Sequence, residues 1–315
     1  MACVLDAAAR RPYRAAVKDF YTLADLEKWN EPGIRLGVIG DPVAHSRSPQ
    51  MINAALQHCG LDMQYARFQI ASDELETALR LLASHNFVGV NLTIPHKLGA
   101  APLMNELDDF ARNVGAVNCV CFAGAQLIGF NTDGPGFSRA IRSEFSVDLR
   151  DLRVLLFGAG GGAGNAIALQ CAMEGCERLV LVNRTFEKAA ELARELRPFF
   201  QEARVLGPVA RLEAVEWDEA GLRFQIGNTD LVINATSLGM KRSDAPVLPP
   251  SMLAPHLIVY DTVYEPARTP LLAAAADAGA RGANGLSMLL YQGALSFERW
   301  FDRAAPLEVM RSALL

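Results

Sequence analysis

No apolar run in this chain reaches the ~20 residues that a bilayer-spanning helix needs, so nothing in the sequence reads as a membrane anchor. Nor is there an excess of basic charge. The 30 Lys and Arg stand against 35 Asp and Glu, a net charge of −5, which supports neither nucleic-acid binding nor a basic membrane-surface role. Cysteine is sparse: Cys3, Cys59, Cys119, Cys121, Cys171 and Cys176 form no CxxC pair and no zinc-like ladder. Cys119 and Cys121 share a strand face and read as packed thiols. The five histidines are dispersed, none in a metal-ligand spacing, so no metal is expected. Arg10-Arg11 is followed by no hydrophobic signal region, and the expected compartment is the reducing cytoplasm. Internal repeats and low-complexity tracts are absent as well.

What is present points to a globular enzyme. A chain of 315 residues, 51% hydrophobic and 21% charged, suits two domains with sizeable cores. Its centre is the stretch 153–185. Residues 154–157 are apolar without period-2 alternation, as expected of a strand covered on both faces. Gly158, Gly160, Gly161, Gly162 and Gly164 follow, then a small-residue helix over 165–173 and a second apolar run over 179–182. Strand, glycine turn, helix and strand make one βαβ unit. Glycine there permits a tight turn and lets backbone N–H groups approach a pyrophosphate at the positive end of the helix.

The tip of the second strand specifies the cofactor. An NAD site usually carries Asp or Glu about 20 residues past the glycines, but here the strand ends Val182-Asn183-Arg184-Thr185. Arg184 can stack on adenine or pair with a 2′-phosphate, while Asn183 and Thr185 supply neutral hydrogen bonds. Thr185 also serves as N-cap for a helix over 187–196, as a cofactor contact, or as both. NADP is expected rather than NAD.

Taken in order, residues 1–32 read as an extension with a short helix near 22–29. A strand over 34–39 leads into Ser46-Arg47-Ser48-Pro49, a helix start with Ser48 as N-cap and Pro49 at N1. Two serine hydroxyls at a helix N-terminus suit a carboxylate, although Ser48 can equally serve as a plain cap and Ser46 as a turn residue. A strand over 65–70, a helix over 72–84 and a strand over 87–91 follow. Thr93 and Pro95 then signal a helix start that places Lys97 in its first turn, an unfavourable place for a cation unless it has a task. Strands over 115–122 and 126–130 are joined at 123–125. Asp133, before Gly134-Pro135-Gly136, reads as a helix N-cap, and this stretch marks the domain boundary. Further strands are expected over 230–233 and 257–263, a helix over 268–278, and a loop over 236–250 on the nicotinamide side.

Several ordered motifs resemble the shikimate dehydrogenase family from about residue 35 to 301. They include Gly40-x-Pro42-x-x-His45-Ser46-x-Ser48-Pro49, Gly89-x-Asn91-x-Thr93-x-Pro95-x-Lys97, Gly115-Ala116-Val117-Asn118 and Asn131-Thr132-Asp133-Gly134. Further on stand Asn234-Ala235-Thr236-Ser237-Leu238-Gly239-Met240, Tyr260-Asp261-x-Val263-Tyr264-x-Pro266 and Gly285-Leu286-x-Met288-Leu289-x-x-Gln292-Gly293. The resemblance implies an α/β protein of two domains: an N-terminal substrate domain over 33–133 and 285–315, and a Rossmann-type doubly wound NADP domain over 134–284. The C-terminal helices would pack back on the first. It implies that Ser46, Ser48 and Tyr264 hold a substrate carboxylate, and that Asn91, Thr93, Asn118, Asp133 and Gln292 hold ring hydroxyls. It further implies that Lys97 and Asp133 form the catalytic pair and that Thr236, Ser237, Gly285 and Met288 meet the cofactor. Ile52, Cys119, Asn284 and Ser287 depart from the family pattern, which often has His, Thr, Asp and Gly there.

The expected reaction is hydride transfer between NADP(H) and a hydroxyl or ketone of 3-dehydroshikimate/shikimate, in aromatic amino acid (chorismate) biosynthesis. With no metal expected, an ammonium such as that of Lys97 must supply the proton; His96, the other candidate acid, points about 100° away on a helix. A quinate/shikimate dehydrogenase of degradative metabolism using NAD(P), and a non-catalytic dinucleotide-binding redox sensor, are the rival functions. The expected partner is the small-molecule substrate alone, with the chain a monomer or homodimer.

Overall fold

The computed structural model describes residues 18–201 and 210–315. The chain forms two compact α/β units, one running to Thr132 and resuming at Leu290, the other spanning Asp133–Leu289. These boundaries fall one residue before the expected 133/134 junction and five residues after the expected 284/285 junction. Among the described residues no helix is long and apolar enough to cross a membrane.

The first unit runs α1 (Leu23–Glu27), β1 (Ile34–Gly40), α2 (Ser48–His58), β2 (Gln64–Gln69), α3 (Leu75–Ser84), β3 (Gly89–Leu92) and α4 (His96–Ala100). It continues with β4 (Glu106–Leu107), α5 (Asp109–Val114), β5 (Cys119–Ala123) and β6 (Gln126–Phe130). Its sheet has the order β2-β1-β3-β5-β6-β4. β1 is parallel to both neighbours, whereas β5 is antiparallel to β3 and β6. β1 and β3 are buried almost throughout, which is why they read as continuous apolar runs. Pairing continues past their ends: Thr93 N–H donates to Ile39 C=O at 2.9 Å and Asp41 N–H to Ile94 C=O at 3.0 Å. The loops that follow β1 and β3 therefore start side by side.

Two expectations are corrected here. From the described part of the expected extension, Tyr21 and Leu26 enter the core of the first unit. Tyr21 bridges to Phe68 in parallel, exchanging hydrogen bonds with Arg67 C=O and Gln69 N–H at 2.8 Å each. Its ring meets Trp29 edge-on at 5.1 Å, and Leu26 is fully buried; these aromatic and aliphatic surfaces leave water together, which drives the docking. Residues 1–17 lie outside the described residues. The strand expected from 115 begins only at Cys119, because Gly115, at φ 67°, closes α5 in the left-handed conformation. Asp108 caps the other end of α5, accepting Ala111 N–H at 2.7 Å.

The second unit runs α6 (Asp133–Phe145), β7 (Arg153–Phe157), α7 (Gly162–Met173), β8 (Arg178–Val182), α8 (Phe186–Leu196), β9 (Leu212–Val215) and α9 (Glu219–Ile226). Then come β10 (Leu231–Asn234), β11 (Ile258–Asp261), α10 (Pro270–Asp277) and β12 (Arg281–Asn284). All pairings are parallel, in the order β12-β11-β10-β7-β8-β9. Read from β9, this is the 3-2-1-4-5-6 arrangement of a doubly wound dinucleotide fold, with its switch point between β7 and β10. Helix α11 (Leu286–Phe301) begins in this unit and ends in the first, followed by α12 (Leu307–Ser312), which packs on α2.

Candidate active site

In the first unit, the chain leaving β1 turns through Ser46 into α2. Ser48 is the first residue of that helix and Arg47 occupies the cap position, so the expected N-cap role of Ser48 is corrected. Ser46 takes over the cap chemistry weakly, its Oγ accepting Ser48 N–H at 3.4 Å. The Ser46 carbonyl is gripped by the Arg67 guanidinium, through Nε at 3.1 Å and Nη2 at 2.8 Å. Ser48 is buried, with its hydroxyl beside the phenol of Tyr65. Tyr65 and Arg67 are alternate residues of β2, hence on one face of the strand; Arg67 holds Ser46, and Tyr65 lies beside Ser48.

From Tyr65 a connected set of buried groups extends through the expected substrate residues. The Tyr65 hydroxyl donates to Asn91 Oδ1 at 2.9 Å. Asn91 Nδ2 donates to Asn118 C=O at 3.0 Å and to Ser296 Oγ at 2.8 Å. Asn118 Oδ1 accepts Thr132 N–H at 2.7 Å, and its Nδ2 donates to Thr132 Oγ1 at 3.0 Å and to Gln292 Oε1 at 3.5 Å. Asn91, Asn118 and Gln292 are thus brought together, with Ser48 beside Tyr65 at one end. Tyr65, Thr132 and Ser296 join them, although the sequence assigned these three no role. A hydroxyl in the otherwise apolar middle of α11 was the available signal for Ser296.

Thr93 and Lys97 lie on the neighbouring loop after β3. Lys97 is half-buried, the second residue of α4, and its carbonyl accepts Val117 N–H at 2.8 Å, tying the loop to the chain just before Asn118. His96 is no acid here. Its Nε2 meets Ile70 C=O at 2.9 Å, so that nitrogen carries the proton, while Nδ1 is buried with no hydrogen-bond partner among the described residues. Burial pushes its pKa down, favouring the neutral ring.

In the second unit, the glycine turn lies at the switch point. Gly158 and Gly160 have φ of 94° and 92°, and a Cβ on Gly158 would stand 2.7 Å from Ala235 C=O. A Cβ on Gly164 would collide with Gly158 C=O, so only glycine lets helix and turn approach this closely. Asn165 Oδ1 accepts Gly160 N–H at 2.8 Å and shapes the turn. Gly161 precedes Gly162 as a cap without side chain, leaving the first N–H groups of α7 for an anion. This cradle suits a pyrophosphate.

At the tip of β8, Asn183 donates to Ala159 C=O and accepts Thr185 N–H at 2.8 Å, so its amide serves the turn itself. Arg184 and Thr185 are exposed; Thr185 sits at the N-cap of α8 with no capping bond from its side chain. After β10, Asn234 Oδ1 accepts from Thr236 N–H at 3.0 Å and Thr236 Oγ1 at 2.7 Å, and Thr236 Oγ1 accepts Leu238 N–H at 3.0 Å. Ser237 is exposed beside them. Asp261, a residue the sequence left without a task, accepts from Asn234 Nδ2 at 2.9 Å, Thr269 Oγ1 at 2.6 Å and Val263 N–H at 3.1 Å. Burial raises its pKa to about 6. Gly285 packs on Thr262, and Met288, buried, donates its N–H to Tyr260 Oη at 3.1 Å. Tyr264 is half-buried and Asp133, first residue of α6, is buried.

A doubly wound unit with a phosphate cradle and a unit that gathers hydroxyls and amides define the class of dinucleotide-dependent oxidoreductases. Comparison with known proteins narrows the class. Residues 38–120 match the shikimate dehydrogenase substrate binding domain, 139–216 the shikimate/quinate 5-dehydrogenase family and 285–315 the shikimate 5′-dehydrogenase C-terminal domain. The NADP(+) shikimate dehydrogenase of Methanopyrus kandleri is 42% identical over 282 residues, 89% of this chain and 94% of that one. A crystal structure of a shikimate dehydrogenase in complex with NADP+ superposes with a TM-score of 0.80 at 30% identity, covering 96% of this chain and 98% of the other. The Thermus thermophilus shikimate 5-dehydrogenase in complex with NADP(H) and shikimate gives 0.78 at 33% identity, covering 89% and 98%. The chain belongs to the shikimate dehydrogenase family.

Proposed function

We propose that this protein is an NADP-dependent shikimate dehydrogenase, reversibly reducing 3-dehydroshikimate to shikimate in the route to chorismate and the aromatic amino acids. The observation that carries the assignment is the buried network joining Tyr65, Asn91, Asn118, Thr132 and Gln292, a set of hydroxyl and amide groups suited to a polyhydroxylated ring. The cofactor supplies the hydride chemistry when bound. Gly158, Gly160, Gly161 and Gly162 would hold its pyrophosphate. Asn183 sets the tip of β8, where Arg184 would take the 2′-phosphate and Thr185 would add a hydroxyl contact. Thr236, Ser237, Gly285 and Met288 would line the nicotinamide side.

Ser46, Ser48 and Tyr264 bind the substrate carboxylate, and Asn91, Thr93, Asn118 and Gln292 bind ring hydroxyls. Lys97 gives a proton to the ketone oxygen as the carbon is reduced and takes it back in the reverse direction. Asp133 is the second member of this catalytic pair and acts on the same proton. The substrate domain is proposed to comprise 33–133 and 285–315, the NADP domain 134–284, and the setting is proposed to be the cytoplasm. The chain acts alone or as a homodimer, which light scattering distinguishes. Initial rates with shikimate and quinate, each against NADP and NAD, test the function: shikimate with NADP should be the fastest pair. Faster turnover of quinate with NAD would replace this assignment with the degradative enzyme.

A further inference from the structure

The hydrogen-bond directions around Asn91 follow from chemistry. A backbone carbonyl only accepts, so the nitrogen of the Asn91 amide must face Asn118 C=O, 3.0 Å away. Its other side must then accept, and the donor is the Tyr65 hydroxyl at 2.9 Å. With the phenol proton so committed, the phenol oxygen faces Ser48 as an acceptor only. On the far side, Ser296 gives its own proton to Gln292 C=O at 3.0 Å, leaving Oγ to accept from Asn91 Nδ2 at 2.8 Å. Ser48, Tyr65, Asn91 and Ser296 are 4%, 1%, 5% and 0% exposed, so no water competes for these directions.

Building on the proposed function, we infer that Tyr65 and Ser296 are positioning residues. They fix the Asn91 amide from its two ends. Neither is asked to touch the substrate. Burial also pushes the Tyr65 phenol well up from its ordinary pKa, which keeps it a neutral donor. Arg67, next on the same strand face, anchors the Ser46 carbonyl.

The experiment compares Tyr65→Phe, Ser296→Ala, Asn91→Ala and the doubles with Asn91→Ala. It measures kcat, KM for shikimate, KM for NADP and the thermal midpoint of each purified chain. Losing one buried hydrogen bond should raise KM for shikimate about tenfold, leave KM for NADP unmoved and change kcat little. On the Asn91→Ala background neither change should add a further penalty, because the group being held is gone. Unmoved shikimate KM in both single variants, or penalties that multiply with Asn91→Ala, overturns the inference. If Tyr65→Phe does not fold, Ser296→Ala, which removes a single oxygen, carries the same test. A wild-type chain inactive on shikimate would overturn the proposed function and this inference with it, whereas an active wild type with unmoved variants overturns this inference alone.

Discussion

Asn234 and Asp261 end neighbouring parallel strands in register, and the Asn234 amide donates to the Asp261 carboxylate at 2.9 Å. The carboxylate also receives the Thr269 hydroxyl and Val263 N–H, yet burial outweighs these three donors and lifts its pKa from 3.8 to about 6. Between about pH 4 and 6 the folded chain therefore binds more protons at this site than the unfolded one. The stability that Asp261 contributes is full below about pH 4 and is lost as pH rises through 6. The shift of about two units corresponds to roughly 3 kcal/mol at most. Asp261→Asn keeps the shape and removes the titration. Urea midpoints measured from pH 4.5 to 7.5 should show the variant gaining on the wild type as pH rises; parallel curves would show that Asp261 does not titrate in this window.

Arg184 is exposed at the tip of β8, where no acid stands. Replacing it with Ala should raise KM for NADP by about ten- to a hundredfold, the range of roughly 1.5–3 kcal/mol for a lost charged hydrogen bond. KM for NAD should change little, since only NADP carries the 2′-phosphate. Equal effects on both cofactors would instead assign Arg184 to stacking on adenine.

For the serines, Ser46→Ala and Ser48→Ala should each weaken shikimate binding about tenfold or more while dinucleotide binding stays intact. The stability effects should be small. Ser46 makes only a long cap contact, at 3.4 Å, and Ser48 makes no side-chain capping bond, so losses should stay near the lower end of capping effects, about 0.5 kcal/mol. A substrate analogue without the carboxylate should bind poorly and be indifferent to both changes. Binding of that analogue as tight as shikimate would show the carboxylate site to be wrongly placed.

Lys97→Met removes the proton donor and retains much of the aliphatic stem, so turnover should fall far more than substrate affinity. Asp133→Asn should lower turnover through the same proton. Groups that act as a unit are strongly non-additive, and the double variant should be little worse than Lys97→Met. Single-turnover hydride transfer at saturating cofactor is the measurement. Fully multiplicative losses would make the two residues independent and return Asp133 to a helix-capping or hydroxyl-binding role.

Much of the second unit was legible because its information is local. The run 154–157, the glycines after it and the run 179–182 are a short-range pattern with one physical solution, and β7, α7 and β8 formed within a residue or two of it, apart from an earlier start of α7. The loops carrying Ser46, Ser48 and Lys97 were legible for the same reason, through Pro and Ser signals at helix starts. Boundaries failed where packing overrode local preference. Gly115 sits in a stretch that reads as strand, but its left-handed φ ends α5 instead. Tyr21 and Trp29 read as an appendage until Phe68 supplied the apolar surface that they cover.

By itself, the order of residues along this chain determined the βαβ unit, the absence of an acid at the tip of β8 and which loops carry hydroxyl, amide and ammonium groups. These depend on neighbours a few positions apart. The tertiary structure alone decided how those groups are held. Asn91 and Ser296 stand 205 positions apart, Tyr65 and Asn91 26, and Asn234 and Asp261 27. No local pattern encodes such partnerships. They exist because buried polar groups must find partners, and only the packed sheets and α11 determine which partners lie within reach.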